Sequence, residues 1–102
     1  MSARCSLLGI GSDIGGSIRI PSDHCGIFGL KPYSKRISSK FHACFSQAFG
    51  SISIVIPLCI GPMGKSARDL ALFMDVASNE YNYQGLDDPY TKIIPFEWKK
   101  YQ

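Results

Sequence analysis

Short apolar runs separated by segments rich in glycine, proline and serine make up the first third of the chain. The runs at residues 7–10 and 27–31 have the length and composition of buried strands, and the second ends at a proline. Between them, residues 22–25 are predicted to form a short helix, with Pro21 suited to its first turn and Gly26 just past its end. The pattern here predicts strand, turn, short helix, strand.

The middle of the chain has a weaker pattern. Residues 33–49 mix serine, lysine and aromatic residues without a clean period, which favours a loop with at most one short strand around Arg36 and Ile37. The longest apolar run, residues 52–60, is interrupted by Ser53 and Pro57 and is far shorter than the roughly 20 residues of a membrane helix. It is predicted to be a buried strand.

The clearest helix is predicted over Ala67–Ala77, within a segment covering residues 66–78. Ser66 is placed as its N-cap, and Asp69 three residues later forms an approximate capping box. The apolar positions extend beyond one stripe, so the helix is expected to need cover on more than one side. After Asn79 the turn-forming residues predict an extended linker or tail over 80–102, leaving 1–79 as one α/β domain or part of one.

The segment at residues 9–22 contains four glycines and one candidate nucleophile, Ser17. Gly15 and Gly16 lack β-carbons, so another molecule can approach their N–H groups closely. A Gly-x-Ser-x-Gly elbow is excluded because Arg19 stands two residues after the serine. Dinucleotide-binding glycine spacing, a phosphate loop and a Ser-x-x-Lys pair are also excluded. These comparisons leave a serine with backbone donors and no assigned base.

Three ordered blocks resemble the amidase signature family: GIGSDIGGSIRIPS at 9–22, CGIFGLKP at 25–32 and GPMGKSARDLAL at 61–72. The resemblance runs from about Cys5 to Ala77. Ile14 and Ile20 are more similar to the fatty acid amide hydrolase branch than to the amidotransferase subunit that acts in charging tRNA with glutamine. The resemblance implies an α/β fold in which helices flank a mixed β-sheet, with this chain carrying only part of it.

The same resemblance implies roles for individual residues. The family uses a Ser-Ser-Lys triad, and Ser17 matches its nucleophile. The oxyanion hole matches the N–H groups of four consecutive residues, Ile14, Gly15, Gly16 and Ser17. Asp13 and Arg19 match positions that support the loop, although an ordinary ion pair is the alternative interpretation. The family pattern implies no metal and no cofactor.

The departures from the family concern the rest of the triad. Its lysine and bridging serine lie upstream of the nucleophile, whereas sixteen residues precede Ser17 here, and neither Ser2 nor Ser6 lies in a suitable glycine-rich loop. The chain is therefore expected to be an internal slice of an amidase, lacking upstream and downstream parts and inactive alone. Lys35 and Lys40 also stand where the family commonly has glycine.

The charge and the cysteine content argue against nucleic-acid binding and against a metal site. The net charge of +3 is scattered, without a basic run that would indicate nucleic-acid binding. The four cysteines, at positions 5, 25, 44 and 59, have no metal-site spacing and are expected to be free, buried thiols. No signal peptide is recognised, so a cytoplasmic location or a cytosol-facing membrane surface is favoured.

Three functions follow from these patterns. The first is an amidase-type serine hydrolase that uses Ser17 to cleave a small-molecule carboxylic amide similar to a fatty acid amide. The second is a non-catalytic remnant or truncated isoform. The third is an amidase component of the amidotransferase type.

Overall fold

The structure, a computed structural model, describes residues 1–39 and 57–78. These residues form three strands and two helices, which in chain order are β1 (Leu8–Asp13), α1 (Arg19–His24), β2 (Phe28–Gly29), β3 (Cys59–Gly64) and α2 (Ala67–Ala77). The strands form one sheet in the order β1-β3-β2, and both neighbouring pairs are antiparallel. The central strand is thus the last of the three in sequence.

The strand register assigns the two helices to opposite faces of the sheet. Gly11 lies opposite Gly61 across the β1–β3 pair, and side chains alternate between faces along each strand. On the face of Gly11 and Gly61, the side chain of Ile18 packs from the residue just before α1. On the other face, Leu70 of α2 packs against Gly64. The predicted arrangement of helices flanking a sheet is therefore present in the described residues.

The strand predicted at residues 27–31 is shorter in the structure because of a proline in the central strand. In the register of the β2–β3 pair, Leu30 lies opposite Pro62 and donates its N–H to the Pro62 carbonyl at 3.0 Å. Proline has no N–H with which to return a hydrogen bond. The ladder therefore ends at Gly29.

Helix α1 begins three residues earlier than the sequence pattern predicts, at Arg19 instead of Ser22. The cause lies outside the predicted segment, since the carboxylate of Asp13 accepts the N–H groups of Ile18 and Arg19 at the start of the helix. The predicted end is confirmed by Gly26, which follows the last turn with φ of +60°.

Helix α2 has the predicted bounds and the predicted capping box. The Asp69 N–H donates to the Ser66 hydroxyl at 3.2 Å, and the Ser66 N–H donates to the Asp69 carboxylate at 3.1 Å. Leu70 and Met74 are buried, whereas Leu72 and Val76 on the same helix are 60% and 57% exposed. None of the described helices is long and apolar enough to cross a membrane.

The strand predicted at residues 7–10 exists but is not buried. β1 starts at Leu8 and extends to Asp13, and Leu7 and Ile10 are 83% and 63% exposed. Strand β1 is an edge of the described sheet, and glycines, not leucine or isoleucine, occupy its face toward Ile18. The apolar run predicted the strand correctly and its burial wrongly.

Other predictions have mixed outcomes. Arg36 and Ile37 form no strand; Arg36 instead ends a turn, in which its N–H donates to the Tyr33 carbonyl at 3.0 Å. Cys59 is buried and free, but Cys5 and Cys25 are exposed, so burial was wrong for those two thiols. Most of the predicted 52–60 strand, Cys44, the remainder of the 33–49 loop and the 80–102 tail lie outside the described residues.

Candidate active site

Ser17 lies in the turn that joins the end of β1 to the start of α1, and its side chain is exposed. The residues on either side of it are buried, with Ile18 fully so and Gly16 nearly so. The turn therefore presents one hydroxyl to solvent between two fixed neighbours. This matches the strand, glycine turn, serine, helix geometry predicted from the sequence.

A single carboxylate holds this turn from the inside. Asp13, the last residue of β1, is 1% exposed and accepts five hydrogen bonds. Backbone N–H groups of Gly16, Ile18 and Arg19 donate three of them, at 2.8, 3.1 and 3.3 Å. The Arg19 guanidinium donates the other two, each at 3.1 Å. The backbone before and after Ser17 is thus bound to the same side chain.

The charge of Asp13 is strongly favoured by these donors. The hydrogen bonds from the Arg19 side chain lower the pKa of the Asp13 carboxyl most, against the opposing effect of burial, and the three backbone donors lower it further. In return, Asp13 raises the pKa of the Arg19 guanidinium. The Asp13 carboxylate therefore binds the backbone of the turn as well as the Arg19 guanidinium, which an isolated surface ion pair does not do.

Gly16 has a backbone conformation that side chains rarely adopt, with φ of +128°. A β-carbon at this position would also lie 2.6 Å from Cδ1 of Ile20. The Gly16 N–H points inward to Asp13. In contrast, no acceptor within residues 1–39 and 57–78 takes the N–H of Gly15 or of Ser17. Among the described residues, three of the four N–H groups expected in an oxyanion hole, those of Ile14, Gly15 and Ser17, have no acceptor, and that of Gly16 is occupied by Asp13.

The described residues supply no base for Ser17. None of their side chains forms a hydrogen bond with the Ser17 hydroxyl. A groove of about 460 Å³ does occur, but Leu7, Leu8 and residues of α2 line it. It therefore lies at the beginning of β1, whereas Ser17 follows its end. No group of three potential metal-ligating side chains is present in these two described segments.

Two neighbours of the site were not recognised as such from the sequence. Ile18 was treated only as part of a motif, although its side chain is fully buried against three glycines. Cys59 lies opposite Asp13 in the β1–β3 pair, and its thiol is 3.4 Å from the Ser34 hydroxyl. The strand register, which local patterns do not give, is the only signal that would have placed Cys59 there.

The family of the chain follows from comparison with known proteins. The amidase family matches residues 1–102, and the chain belongs to that family. It is 38% identical over 103 residues to fatty-acid amide hydrolase 1 of Sus scrofa, covering 99% of this chain and 16% of that protein. It is 43% identical over 79 residues to a glutamyl-tRNA(Gln) amidotransferase subunit of Thermus thermophilus, covering 76% of this chain and 15% of that protein.

A solved fatty acid amide hydrolase structure is similar to this chain as well. The TM-score is 0.69 at 39% identity, and the match covers 86% of this chain and 15% of the solved chain. The predicted α/β class and the amidase signature fold are thereby confirmed for this part of the fold. The chain spans less than a fifth of the length of these relatives.

Proposed function

We propose that this segment carries the nucleophile and part of the oxyanion hole of an amidase that hydrolyses a carboxylic amide resembling a fatty acid amide. The observation that supports it best is the exposed Ser17 hydroxyl between two residues that Asp13 binds through their backbone. Preorganised groups of this kind need no reorganisation when charge develops in the transition state.

In the proposed reaction, Ser17 Oγ attacks the carbonyl carbon of the amide and transfers its proton to a base. The tetrahedral intermediate carries its negative charge on the former carbonyl oxygen, facing the N–H groups of Ile14, Gly15 and Ser17. The C–N bond then breaks, and the nitrogen leaves as an amine or ammonia after receiving a proton. Water hydrolyses the resulting acyl-serine ester, which releases the carboxylic acid and restores Ser17.

The N–H groups of this turn have different roles in the proposal. Those of Ile14, Gly15 and Ser17 have no acceptor among the described residues and would face the oxyanion. The Gly16 N–H instead holds the turn to Asp13, at 2.8 Å. Gly16 thus contributes to the oxyanion hole chiefly through its positive φ, which glycine tolerates and which shapes the turn that carries the other N–H groups.

The base is assigned from the family pattern. A lysine would deprotonate a bridging serine, which in turn deprotonates Ser17. We place both in sequence that precedes residue 1 in a complete amidase. A serine hydroxyl is a weak nucleophile at neutral pH unless a neighbouring group accepts its proton. Residues 1–102 therefore supply the attacking atom and the charge-stabilising donors, and another segment supplies the proton acceptor.

The fatty acid amide class is favoured over glutamine amidotransfer by the extent of similarity. The match to fatty-acid amide hydrolase 1 covers 99% of this chain at 38% identity, whereas the match to the Thermus thermophilus amidotransferase protein covers 76% at 43% identity. The solved structure that this chain resembles over 86% of its length is also a fatty acid amide hydrolase. The identity of Ile14 and Ile20 in the nucleophile loop agrees with this preference.

A chimera tests the proposal. Residues 1–102 would replace the corresponding segment of the Sus scrofa fatty-acid amide hydrolase 1, and fatty acid amide hydrolysis and fluorophosphonate labelling would be measured. The label is expected on Ser17, and Ser17→Ala should abolish both activity and labelling. Ser22→Ala is the matched control, because that hydroxyl is buried and has no hydrogen-bond partner among the described residues. A folded chimera that is inactive, or that is labelled on another serine, contradicts the proposal.

A further inference from the structure

The side chain of Ile18, the residue after Ser17, lies against a glycine from each strand of the described sheet. These glycines, Gly11 of β1, Gly29 of β2 and Gly61 of β3, are called the glycine socket below. A β-carbon added at Gly11 or Gly29 would lie 3.0 Å from a γ-carbon of Ile18, and one added at Gly61 would lie 3.2 Å from its Cδ1. Ile18 itself is fully buried.

Two of the three glycines in the socket, Gly29 and Gly61, have no room for a β-carbon. A β-carbon at Gly61 would collide with the backbone carbonyl of Leu30, and one at Gly29 would collide with the Ser22 side chain. Gly11 can accommodate a β-carbon more easily, because the atom that it would meet besides Ile18 is the flexible end of Met63, at 3.1 Å. Closely packed interiors respond to one added methylene by moving neighbouring atoms. At Gly11 the atoms that must move include those of Ile18.

Such a displacement reaches the backbone beside Ser17. Isoleucine is branched at its β-carbon and strongly restricted at χ1, so its γ-carbons cannot swing away easily. The Ile18 N–H is also bound to the Asp13 carboxylate at 3.1 Å. Residue 18 is therefore fixed through both its side chain and its backbone, and the adjoining Ser17 has little freedom left on that side.

We propose that Ile18 is a positioning residue for the hydrolytic reaction and that its packing in the glycine socket sets the direction of the Ser17 hydroxyl. This inference rests on the proposed function, in which Ser17 is the nucleophile. A positioning role predicts a change in kcat at constant KM, because the substrate-binding surface stays intact while the attacking atom moves. If Ile18 contributed only to core packing, substitutions around it would change Tm and leave kcat unchanged.

Gly11→Ala and Gly64→Ala form the matched pair that separates these roles. Both add one methyl group to the sheet at similar closeness, since the β-carbon at Gly64 would lie 3.2 Å from Leu70 and 3.4 Å from Asp69. Only Gly11 faces Ile18; Gly64 faces α2 on the opposite side. In the chimera described above, Gly11→Ala is expected to lower kcat about tenfold with KM within about twofold. Gly64→Ala is expected to keep kcat within about twofold at a similar loss in Tm.

Two substitutions of Ile18 test the β-branch. Ile18→Leu keeps the number of atoms but loses the branch, and kcat should fall about tenfold. Ile18→Val keeps the branch and loses only Cδ1, so kcat should stay within about threefold while Tm falls. Equal kcat values for Ile18→Leu and Ile18→Val, both measured at one temperature about 20 °C below the lower Tm, would contradict a role for the branch in positioning.

The parent chimera distinguishes failure of this inference from failure of the proposed function. A fluorophosphonate label on a serine other than Ser17 overturns the proposed function and the positioning role with it. A label on Ser17, combined with equal kcat for Gly11→Ala and Gly64→Ala, overturns the positioning role alone. The expected result is a label on Ser17 and a loss of kcat confined to Gly11→Ala and Ile18→Leu.

Discussion

Asp13 stabilises the turn around Ser17 most strongly in its charged form, because all five hydrogen bonds to it come from N–H donors and a protonated carboxyl has fewer acceptor sites. The pKa of its carboxyl is lowered in the folded chain. A lowered pKa means that the stabilising effect is complete above the ordinary carboxyl pKa of about 4 and is lost progressively as the pH falls below it.

We therefore expect Asp13→Asn to lower Tm at pH 7 and to weaken the fall in Tm that the parent shows between about pH 4 and pH 2. Thermal unfolding across this pH range measures both effects. Asp75→Asn, an exposed position on α2, is the control and should retain the parental profile. If the Tm of Asp13→Asn fell with pH in parallel with that of the parent, this carboxylate would not be the group that causes the fall.

Gly16 is the second residue on which the turn depends. Gly16→Val in the chimera is expected to reduce turnover by about 100- to 1,000-fold, as when one oxyanion donor is lost, because a changed turn would misplace the N–H groups of its neighbours. The causes are its positive φ and the contact that a β-carbon would make with Ile20. Steady-state kinetics on folded protein measures the loss. Gly9→Ala is the control, because its β-carbon would meet only the flexible end of Met1. Turnover of Gly16→Val within about threefold of the parent would contradict the assignment of this turn to the oxyanion hole.

At the scale of elements, the capping box fixes the start of α2. Ser66→Ala removes the side chain that accepts the Asp69 N–H and should lower the free energy of unfolding by about 0.5–2 kcal/mol. Urea denaturation followed by circular dichroism provides the measurement. Arg68→Ala, an exposed change in the same turn, should alter the free energy by less than about 0.5 kcal/mol. Equal effects of the two changes would mean that the cap does not stabilise the helix.

At the scale of the whole molecule, the groove between β1 and α2 leaves apolar side chains exposed. Leu7, Leu72 and Val76 line it and are all more than half exposed. Exposed apolar surface of this kind favours association. Residues 1–102 alone are expected to sediment as oligomers, and replacing Leu72 and Val76 with glutamine should shift them toward monomer. A monomeric parent with a sharp two-state melt would contradict this expectation.

The described residues also predict that residues 1–102 alone do not hydrolyse amides. None of these residues forms a hydrogen bond with the Ser17 hydroxyl, so no proton acceptor among them is in contact with it. The purified chain should release no amine from a fatty acid amide above the level of Ser17→Ala. Turnover that Ser17→Ala abolishes would show that a base does act within this chain.

Features that depend on neighbours in sequence were predictable from the sequence alone. The capping box spans three residues, so Ser66 and Asp69 predicted the start of α2 correctly. The double glycine before Ser17 likewise predicted a turn, and Gly16 has the positive φ that glycine permits. The ordered motifs identified the family, since residue type and spacing carry that information without coordinates.

Features that depend on strand pairing were decided by the tertiary structure. Pairing with Pro62 ends β2 early. The glycine socket for Ile18 exists only because three separate strands place their glycines on one face. Periodicity is a property of one segment, whereas register, burial and the supply of hydrogen-bond partners depend on which segments meet. For this reason the sequence alone predicted the glycine turn at Ser17 and its support by Asp13 and Arg19, whereas the fold decided the packing of Ile18 against three strands.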